Sequence, residues 1–188
     1  MSASKNVSVD AEPINSPYHQ FYFSKGFVVV PLPVDPYLPS SGTRLLEFET
    51  TNSSVVPVSG AYDLGTTGGI GNGYTEQLGC FNFNAYGASL GCDSTNLPCV
   101  FQITGMRYNF TTETEDYTTT QSIVTPACPS LKNCTLNPIA FDDSFTDINS
   151  IHINVTVDGQ PKIWFMDDLR LGWYDNGCDS ALCRQGNV

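Results

Sequence analysis

Apolar and aromatic residues in this chain occur in short runs separated by Gly, Pro, Asn and Asp. No stretch of a dozen residues has the i, i+3, i+4 apolar spacing of an amphipathic helix. Short runs between turn residues are typical of an all-β sandwich, so the pattern predicts an antiparallel β-sandwich. The predicted strands are Phe21–Pro31, Arg44–Thr50, Gly79–Ala85, Cys99–Phe110, Thr118–Thr125, Ile151–Val157 and Lys162–Gly172.

The last two predicted strands meet at an Asp-Gly turn. A two-residue turn and a three-residue loop pair different residues, and only the longer loop keeps the apolar residues of both strands on one face. We therefore predict the three-residue loop, which places Ile153 opposite Phe165 and Ile151 opposite Asp167. In this register the outward side chains are those of His152, Asn154, Thr156, Lys162, Trp164 and Met166.

Two segments lack the alternation of strands. Residues 31–42 are rich in proline and predict an extended loop. The stretch from Gly60 to Gly73 holds six glycines and few bulky side chains, which predicts a flexible or close-packed loop. It carries no P-loop motif and precedes no helix pattern, so it is not interpreted as a phosphate-binding loop.

The length of 188 residues indicates one domain. We place the β-sandwich at residues 15–177, after an N-terminal lead-in (1–14) and before a C-terminal disulfide loop and tail (178–188).

Eight Lys and Arg against 19 Asp and Glu give a net charge of −11. This charge argues against nucleic acid as a partner, because binding phosphates requires a basic face. No apolar run reaches about 18 residues, so no membrane span is predicted.

The seven cysteines fall into three close pairs and one single residue. Short-range pairing leaves Cys80 without a partner. A zinc site is the alternative, but the chain has no CxxC motif and two histidines in all. The predicted disulfides are Cys92–Cys99, Cys128–Cys134 and Cys178–Cys183.

Five Asn-x-Ser/Thr sequons also favour a secreted protein. The N-terminal residues do not read as a signal peptide, so we expect a domain taken from a longer secreted precursor. The predicted glycosylation sites are Asn6, Asn52, Asn109, Asn133 and Asn154.

The pair Asp167 and Asp168 stands in the last predicted strand. A carboxylate that faces an apolar core needs a cation or several donors, because an unpaired buried charge is costly. Ca²⁺ collects oxygen ligands, and Asp10 and Glu12 would add oxygens if the N-terminal segment runs beside this strand. The alternative is a carboxylate held by backbone N–H groups or by Arg170 without an ion.

A second acidic pair, Asp142 and Asp143, lies in the segment FDDSF. Two carboxylates about 5–9 Å apart can hydrolyse glycosidic bonds. Aspartate is also common in turns that precede strands, so catalysis by this pair is the weaker hypothesis.

Aromatic rings give a further indication of function, because they stack on the C–H faces of sugars while polar groups fix the orientation. Trp164 faces outward in the predicted register but lies opposite the sequon at Asn154, so a site at the loop after the last strand is equally supported. His152, on the same face, is interpreted as a surface residue. The predicted ligand-binding residues are Trp164, Trp173, Tyr174, Asp175 and Asn176.

Four segments carry a resemblance to a known family: NSPYHQFYFSKGF (15–27), FNFNAYGASLGC (81–92), FDDSF (141–145) and WFMDDLRLGW (164–173). From about Asn15 to Cys183 the chain resembles an uncharacterised domain of secreted fungal proteins that commonly follows Ser/Thr-rich stretches. More distantly, the last strand and the approach to it are similar to galactose-binding-like jelly rolls, the fold of many carbohydrate-binding modules.

The resemblance implies a jelly-roll sandwich in which Asp167 or Asp168 binds a structural calcium. The segment before Pro13 matches the acidic first strand of that fold only loosely. We therefore predict a secreted, glycosylated domain that binds carbohydrate or cell-wall polysaccharide without catalysis, within a larger extracellular or cell-wall protein. The alternatives are a polysaccharide lyase or glycoside hydrolase on the same fold, and a structural or adhesive domain that binds another protein.

Overall fold

The computed structural model describes residues 11–31, 35–50, 65–73 and 78–186. Strands dominate these ranges, with a short 3-10 helix at Gly79–Phe81 and the helix α1 at Cys178–Gly186. Within the same ranges, no helix has the length and apolar character to cross a membrane. The strands are β1 (Glu12–Pro13), β2 (Tyr22–Phe23), β3 (Phe27–Pro31), β4 (Tyr37–Leu38), β5 (Arg44–Phe48), β6 (Thr67–Gly71), β7 (Phe83–Cys92), β8 (Cys99–Asn109), β9 (Thr114–Thr125), β10 (Cys134–Thr135), β11 (Asn137–Ala140), β12 (Ser150–Val157), β13 (Gln160–Pro161) and β14 (Trp164–Trp173).

The strands form two antiparallel sheets that pack face to face. The first sheet has the order β1-β3-β5-β14-β7-β11, and the second has the order β2-β6-β12-β8-β9, with β13 paired to β12. A short parallel pair, β4 and β10, lies outside both sheets. From β5 to β8, successive strands alternate between the two sheets, which is the connectivity of a jelly roll. The predicted fold class, an all-β antiparallel jelly-roll sandwich, is confirmed.

Aromatic side chains fill the core between the two sheets. The fully buried Trp164 ring stacks on Phe48 at 5.4 Å and meets Phe27 edge-on at 5.5 Å between ring centroids. A Cβ at Gly68 would lie 2.7 Å from the Trp164 ring, so only glycine lets β6 approach this closely. Residues 67–71 of the glycine-rich stretch therefore form a packed strand and not a flexible loop.

A second apolar layer covers part of the opposite face of the first sheet. Phe165 points into this layer, because it alternates with Trp164 and Met166, which point into the core between the sheets. Both faces of β14 are thus buried at this point. The buried members of the second layer, called the satellite cluster below, are Val28, Val30, Tyr37, Leu45, Cys128, Leu136 and Phe165.

The predicted hairpin register is wrong. Asp158 and Gly159 form a two-residue turn with φ of 50° and 72°, and the hairpin ends at Pro161, which pairs with Thr156. One more hydrogen bond follows, from the Lys162 N–H to the Val155 carbonyl at 3.0 Å, and the chain then crosses to the first sheet. There β14 pairs with β5 and β7, so Phe165 lies opposite Glu47 and not opposite a residue of β12.

Two of the three predicted disulfides are confirmed and the third is wrong. Cys92–Cys99 and Cys128–Cys134 close short loops, whereas Cys183 bonds to Cys80 and leaves Cys178 as an exposed thiol. Residues five apart on an α-helix lie on different sides of it, so Cys178 and Cys183 do not face each other once α1 forms. The Cys80 disulfide attaches α1 to the sandwich.

Candidate functional site

The outer face of the second sheet, which points away from the core, is a largely polar surface. On β12, Ile151, Ile153 and Val155 point into the core, and the residues between them point outward. This confirms the outward placement of His152 and Asn154. The other outward positions are Tyr22 in β2, residues 67, 69 and 71 in β6, residues 100, 102, 104, 106 and 108 in β8, and residues 115, 117, 120, 122 and 124 in β9.

Three polar side chains meet on this face. The Ser150 hydroxyl donates to Glu115 Oε1 at 2.7 Å, and the His152 Nε2 atom lies 3.3 Å from the same hydroxyl oxygen. Glu115 Oε2 lies 3.9 Å from His152 Nε2, which is an ion-pair distance and not a hydrogen bond. Ser150 is buried, while Glu115 and His152 are partly exposed, so solvent or a ligand can reach the group.

The direction of these hydrogen bonds differs from that of a hydrolase triad. In such a triad the serine hydroxyl donates to the histidine, and the acid holds the far side of the imidazole. Here the Ser150 proton goes to Glu115, so His152 does not receive it. The arrangement presents donors and acceptors to a ligand.

The environment of His152 keeps its imidazole neutral. Burial lowers the pKa of His152 below its ordinary value, and the nearby Glu115 carboxylate opposes this change by favouring the charged form. The pKa of His152 is lowered overall, so the ring is uncharged at neutral pH. A neutral imidazole carries one donor and one acceptor, which suits recognition of a hydroxyl group.

Ser150 belongs to a row of residues that pair with one another across the strands of the second sheet, and a tyrosine lies at each end of this row. In register across the sheet, this row reads Tyr22, Gly71, Ser150, Met106 and Tyr117. Four strand spacings separate the two tyrosines, a distance of about 19 Å between their backbones. The row thus places rings on both sides of the polar group.

The two tyrosine rings differ in exposure. Tyr117 is 60% exposed. Tyr22 is partly buried and lies across Gly73, where a Cβ would overlap its ring. Tyr117 is therefore the better-exposed ring for stacking on a ligand.

The residues predicted to bind a ligand mostly have structural roles. Trp164 is fully buried in the core, so its prediction as an outward ligand contact is wrong. Trp173 stacks on Phe21 at 5.2 Å, and the Arg184 guanidinium lies 4.9 Å above its ring. Tyr174 is 52% exposed but lies at the end of β14, outside the outer face of the second sheet.

Asp175 and Asn176 organise the start of α1. Asp175 accepts the Gly177 N–H at 2.7 Å and the Ser180 hydroxyl at 2.6 Å. These bonds lower the pKa of the Asp175 carboxyl, with Ser180 the larger cause. The Asn176 amide donates to the Trp173 carbonyl. These bonds link the end of β14 to α1, as in a capped helix.

Asp167 does not face the core as predicted. It is partly exposed beside a register shift in β14 and lies opposite Ser89. Its carboxylate accepts the Ser41 N–H at 2.9 Å and the Asp168 N–H at 2.8 Å, and Asp168 accepts the Ser41 hydroxyl at 2.6 Å. The structure thus gives Asp167 backbone N–H partners, which is the second of the two alternatives stated from the sequence.

The other predicted calcium ligands do not lie beside Asp167. Glu12 in β1 is separated from β14 by β3 and β5, which places the two backbones about 14 Å apart. Asp10 lies outside the described residues. Over the described ranges, no three His, Cys, Asp or Glu side chains are grouped to hold a metal ion. Calcium binding therefore stays a prediction.

The second acidic pair lies in an exposed turn. The Asp142 N–H donates to the Gln121 side chain, and its carbonyl accepts the Phe145 N–H. Gln121 points to the side of β9 opposite to Glu115, so Asp142 and Asp143 are not part of the polar group on the outer face. Their place in a turn matches the simpler interpretation of this pair.

The sequence indicated only part of this site. Alternation along residues 150–157 placed His152 outward correctly, but the predicted strand Thr118–Thr125 began after Glu115, because acidic residues are rare in strands. Glu115 and Ser150 are 35 residues apart and meet because both β9 and β12 pair with β8. No local pattern signals such a contact.

Comparisons with known proteins give a family and two distant structural likenesses. A family model described as a domain of unknown function (DUF7371) matches residues 1–184. No curated protein matches the chain. A DUF4465 family protein from Bacteroides caccae ATCC 43185 is similar with a TM-score of 0.47 and 11% identity, over 81% of this chain and 79% of that chain. The CBM22-1–GH10 modules of Clostridium thermocellum xylanase 10B, solved with xylohexaose, are similar with a TM-score of 0.37 and 12% identity, over 85% of this chain and 25% of that chain.

Proposed function

This chain belongs to the DUF7371 family, a domain of unknown function, and we propose that it binds carbohydrate without catalysis through the outer face of its second sheet. The observation that carries the proposal is the meeting of Glu115, Ser150 and His152 between two tyrosines. A sugar ring offers an apolar C–H face and a rim of hydroxyl groups. Rings and hydrogen-bonding groups side by side are suited to both parts of that surface.

The surroundings of the polar group support binding of an extended ligand. Gly69 and Gly71 of β6 carry no side chain, and they flank His152 and Ser150 in register. A chain of sugar rings can therefore approach the backbone on this side of the group. The exposed Tyr117 ring lies on the other side, two strands from Ser150.

The composition of the polar group supports a non-catalytic role. Glycoside hydrolysis canonically uses two carboxyl groups about 5–9 Å apart, and among the described residues the group that meets at Ser150 contains one, that of Glu115. We therefore favour binding over the alternative of a lyase or glycoside hydrolase.

We further propose that the protein works outside the cell as part of a larger extracellular or cell-wall protein. The three disulfides support this location, because such bonds persist in oxidising compartments. The five sequons are consistent with it.

A glycan array and pull-down with insoluble polysaccharides test the proposal on the whole chain. We expect binding by the wild type and about tenfold weaker binding by Tyr117→Ala, since an aromatic contact contributes about 1.4 kcal/mol. Tyr174→Ala is the matched control, because it removes a tyrosine of similar exposure outside the proposed face. An unchanged thermal midpoint in both variants excludes unfolding as the cause.

Two results would contradict the proposal in different ways. No binding by the wild type to any glycan at millimolar concentration would refute carbohydrate binding. Loss of binding in Tyr174→Ala with normal binding in Tyr117→Ala would move the site to the loop after β14.

A protein-interaction role is the second candidate, and the edge of the second sheet favours it. β9 is twelve residues long and pairs on one side with β8. Among the described residues, no other strand pairs with it, and such an edge can accept a strand from another chain. Light scattering after size exclusion tests this role. Self-association that free sugars leave unchanged would support it over carbohydrate binding.

A further inference from the structure

Over the residues that the structure describes, the outer face of the second sheet carries acidic groups and no basic ones. None of its described outward strand positions is Lys or Arg. Arg107 of β8 points away and pairs with Asp147 at 2.9 Å, and Lys162, directly after β13, lies opposite the inward Val155. Glu115 lies on the face, and the following Asp116 is exposed at its edge. The chain as a whole has a net charge of −11. The face therefore has a negative potential.

Glu115 has unused capacity to accept hydrogen bonds. Its Oε1 atom accepts the Ser150 hydroxyl, while Oε2 has an ion-pair contact to His152 at 3.9 Å and no hydrogen bond within the described residues. The neutral His152 ring does not neutralise this carboxylate. A carboxylate oxygen has two lone pairs, so Oε2 can accept a donor from a ligand.

We infer that this face selects glycans that carry protonated amines, such as glucosamine oligomers, over neutral glycans, and rejects glycans that carry carboxylates or sulfates; this inference rests on the proposed carbohydrate-binding function. An ammonium group that reaches Glu115 Oε2 forms a charge-assisted hydrogen bond. A hydroxyl or an acetamide N–H at the same position also donates to the carboxylate, but it carries no positive charge and lacks the ion-pair attraction. A uronate there places two carboxylates together, which is unfavourable.

The expected preference is about tenfold in affinity for the amine over its N-acetylated form, because the charge on the ammonium adds an attraction on the order of 1.4 kcal/mol to a contact with a partly exposed carboxylate. Titration calorimetry in mildly acidic, low-salt buffer measures it, with glucosamine, N-acetylglucosamine and galacturonic acid oligomers of equal length as the probes. Raising the salt concentration to about 0.5 M should reduce the preference, because the interaction is electrostatic and partly exposed.

The Glu115→Gln variant tests the assigned group. It keeps a side chain of the same shape and an acceptor oxygen for Ser150 but carries no charge, so the ratio of the affinities for the amine and for the N-acetylated oligomer should fall from about tenfold to about one, whatever loss of binding the two oligomers share. Glu12→Gln makes the same charge change on the first sheet and should retain the preference.

The outcomes separate this inference from the proposed function. Equal binding of the amine and its N-acetylated form by the wild type would overturn the preference and leave carbohydrate binding intact. An equal preference in the wild type and Glu115→Gln would show that another charge is responsible and would overturn the assignment to Glu115. No binding of any of the three oligomers, and of any other glycan, would refute the proposed function itself.

Discussion

Glu47 is a carboxyl group buried in the satellite cluster, and its neutralisation should change the pH dependence of stability. It lies in β5 between Val28 of β3 and Phe165 of β14, with 5% of its surface exposed. Burial is the main cause that raises the pKa of Glu47 from 4.5 to about 7, and the nearby Glu49 and Asp93 carboxylates add to it.

The sign of the effect follows from this direction. A group whose pKa is higher in the folded state binds more protons when folded, so its contribution to stability is complete below about pH 4.5 and is lost as the pH rises through about 7. The difference between the two pKa values corresponds to about 3 kcal/mol at about 1.4 kcal/mol per pH unit. At pH 8 the folded protein must carry a buried, repelled charge.

Glu47→Gln removes this charge and keeps the shape of the side chain. We expect the variant to unfold at nearly the same urea concentration as the wild type near pH 4.5 and to be more stable by up to about 3 kcal/mol near pH 8. In thermal unfolding the gain at the higher pH corresponds to about 6–12 °C. Glu113→Gln, the same change on an exposed side chain, is the matched control and should follow the wild type at both pH values.

The reasoning fails if the difference in unfolding free energy between Glu47→Gln and the wild type is the same at both pH values. A variant that is less stable at pH 8 than at pH 4.5, relative to the wild type, would also refute it. The first result would mean that the pKa of Glu47 is the same in the folded and unfolded states, and the second that its carboxylate is stabilised in the folded protein.

Three further predictions concern the ion, the glycans and the C-terminal helix. If calcium binds at Asp167, EDTA lowers the thermal midpoint and added Ca²⁺ restores it; identical midpoints would leave backbone N–H groups as its partners. Mass spectrometry of glycopeptides should find glycans at the exposed Asn133 and the partly exposed Asn109 and none at Asn154, whose amide oxygen is buried; a glycan at Asn154 would cover the proposed face. Arg184→Ala should destabilise the protein by about 2–4 kcal/mol in urea unfolding, because the buried guanidinium donates to two carbonyls; a change below about 0.5 kcal/mol would contradict that role.

Several features follow from local sequence patterns and were predicted correctly. The two short-loop disulfides join cysteines six and seven residues apart, a separation at which the chain itself keeps them close. Strict alternation in β12 identifies which of its side chains face the core, because the period of a strand is two whatever its partners are. Many short strands and few helix signals indicated the all-β class.

In the last strand, local patterns did not predict which side chains face the core. Residues 163–166 are apolar without alternation, because β14 is buried by the core on one face and by the satellite cluster on the other. A continuous apolar run carries no information about which side chain faces which layer. The sequence was therefore consistent with an inward Asp167, and the structure places Trp164 in the core instead.

The sequence by itself determined the β-sandwich class, the outward side of β12, the acidic charge and the two local disulfides, since these depend on residue type and short spacing. Only the tertiary structure decided that β14 joins the first sheet, that Cys80 bonds to Cys183, and that Glu115 meets Ser150 and His152. The physical reason is that these contacts join distant parts of the chain. Their partners are selected by the packing of whole sheets, and no single segment encodes that choice.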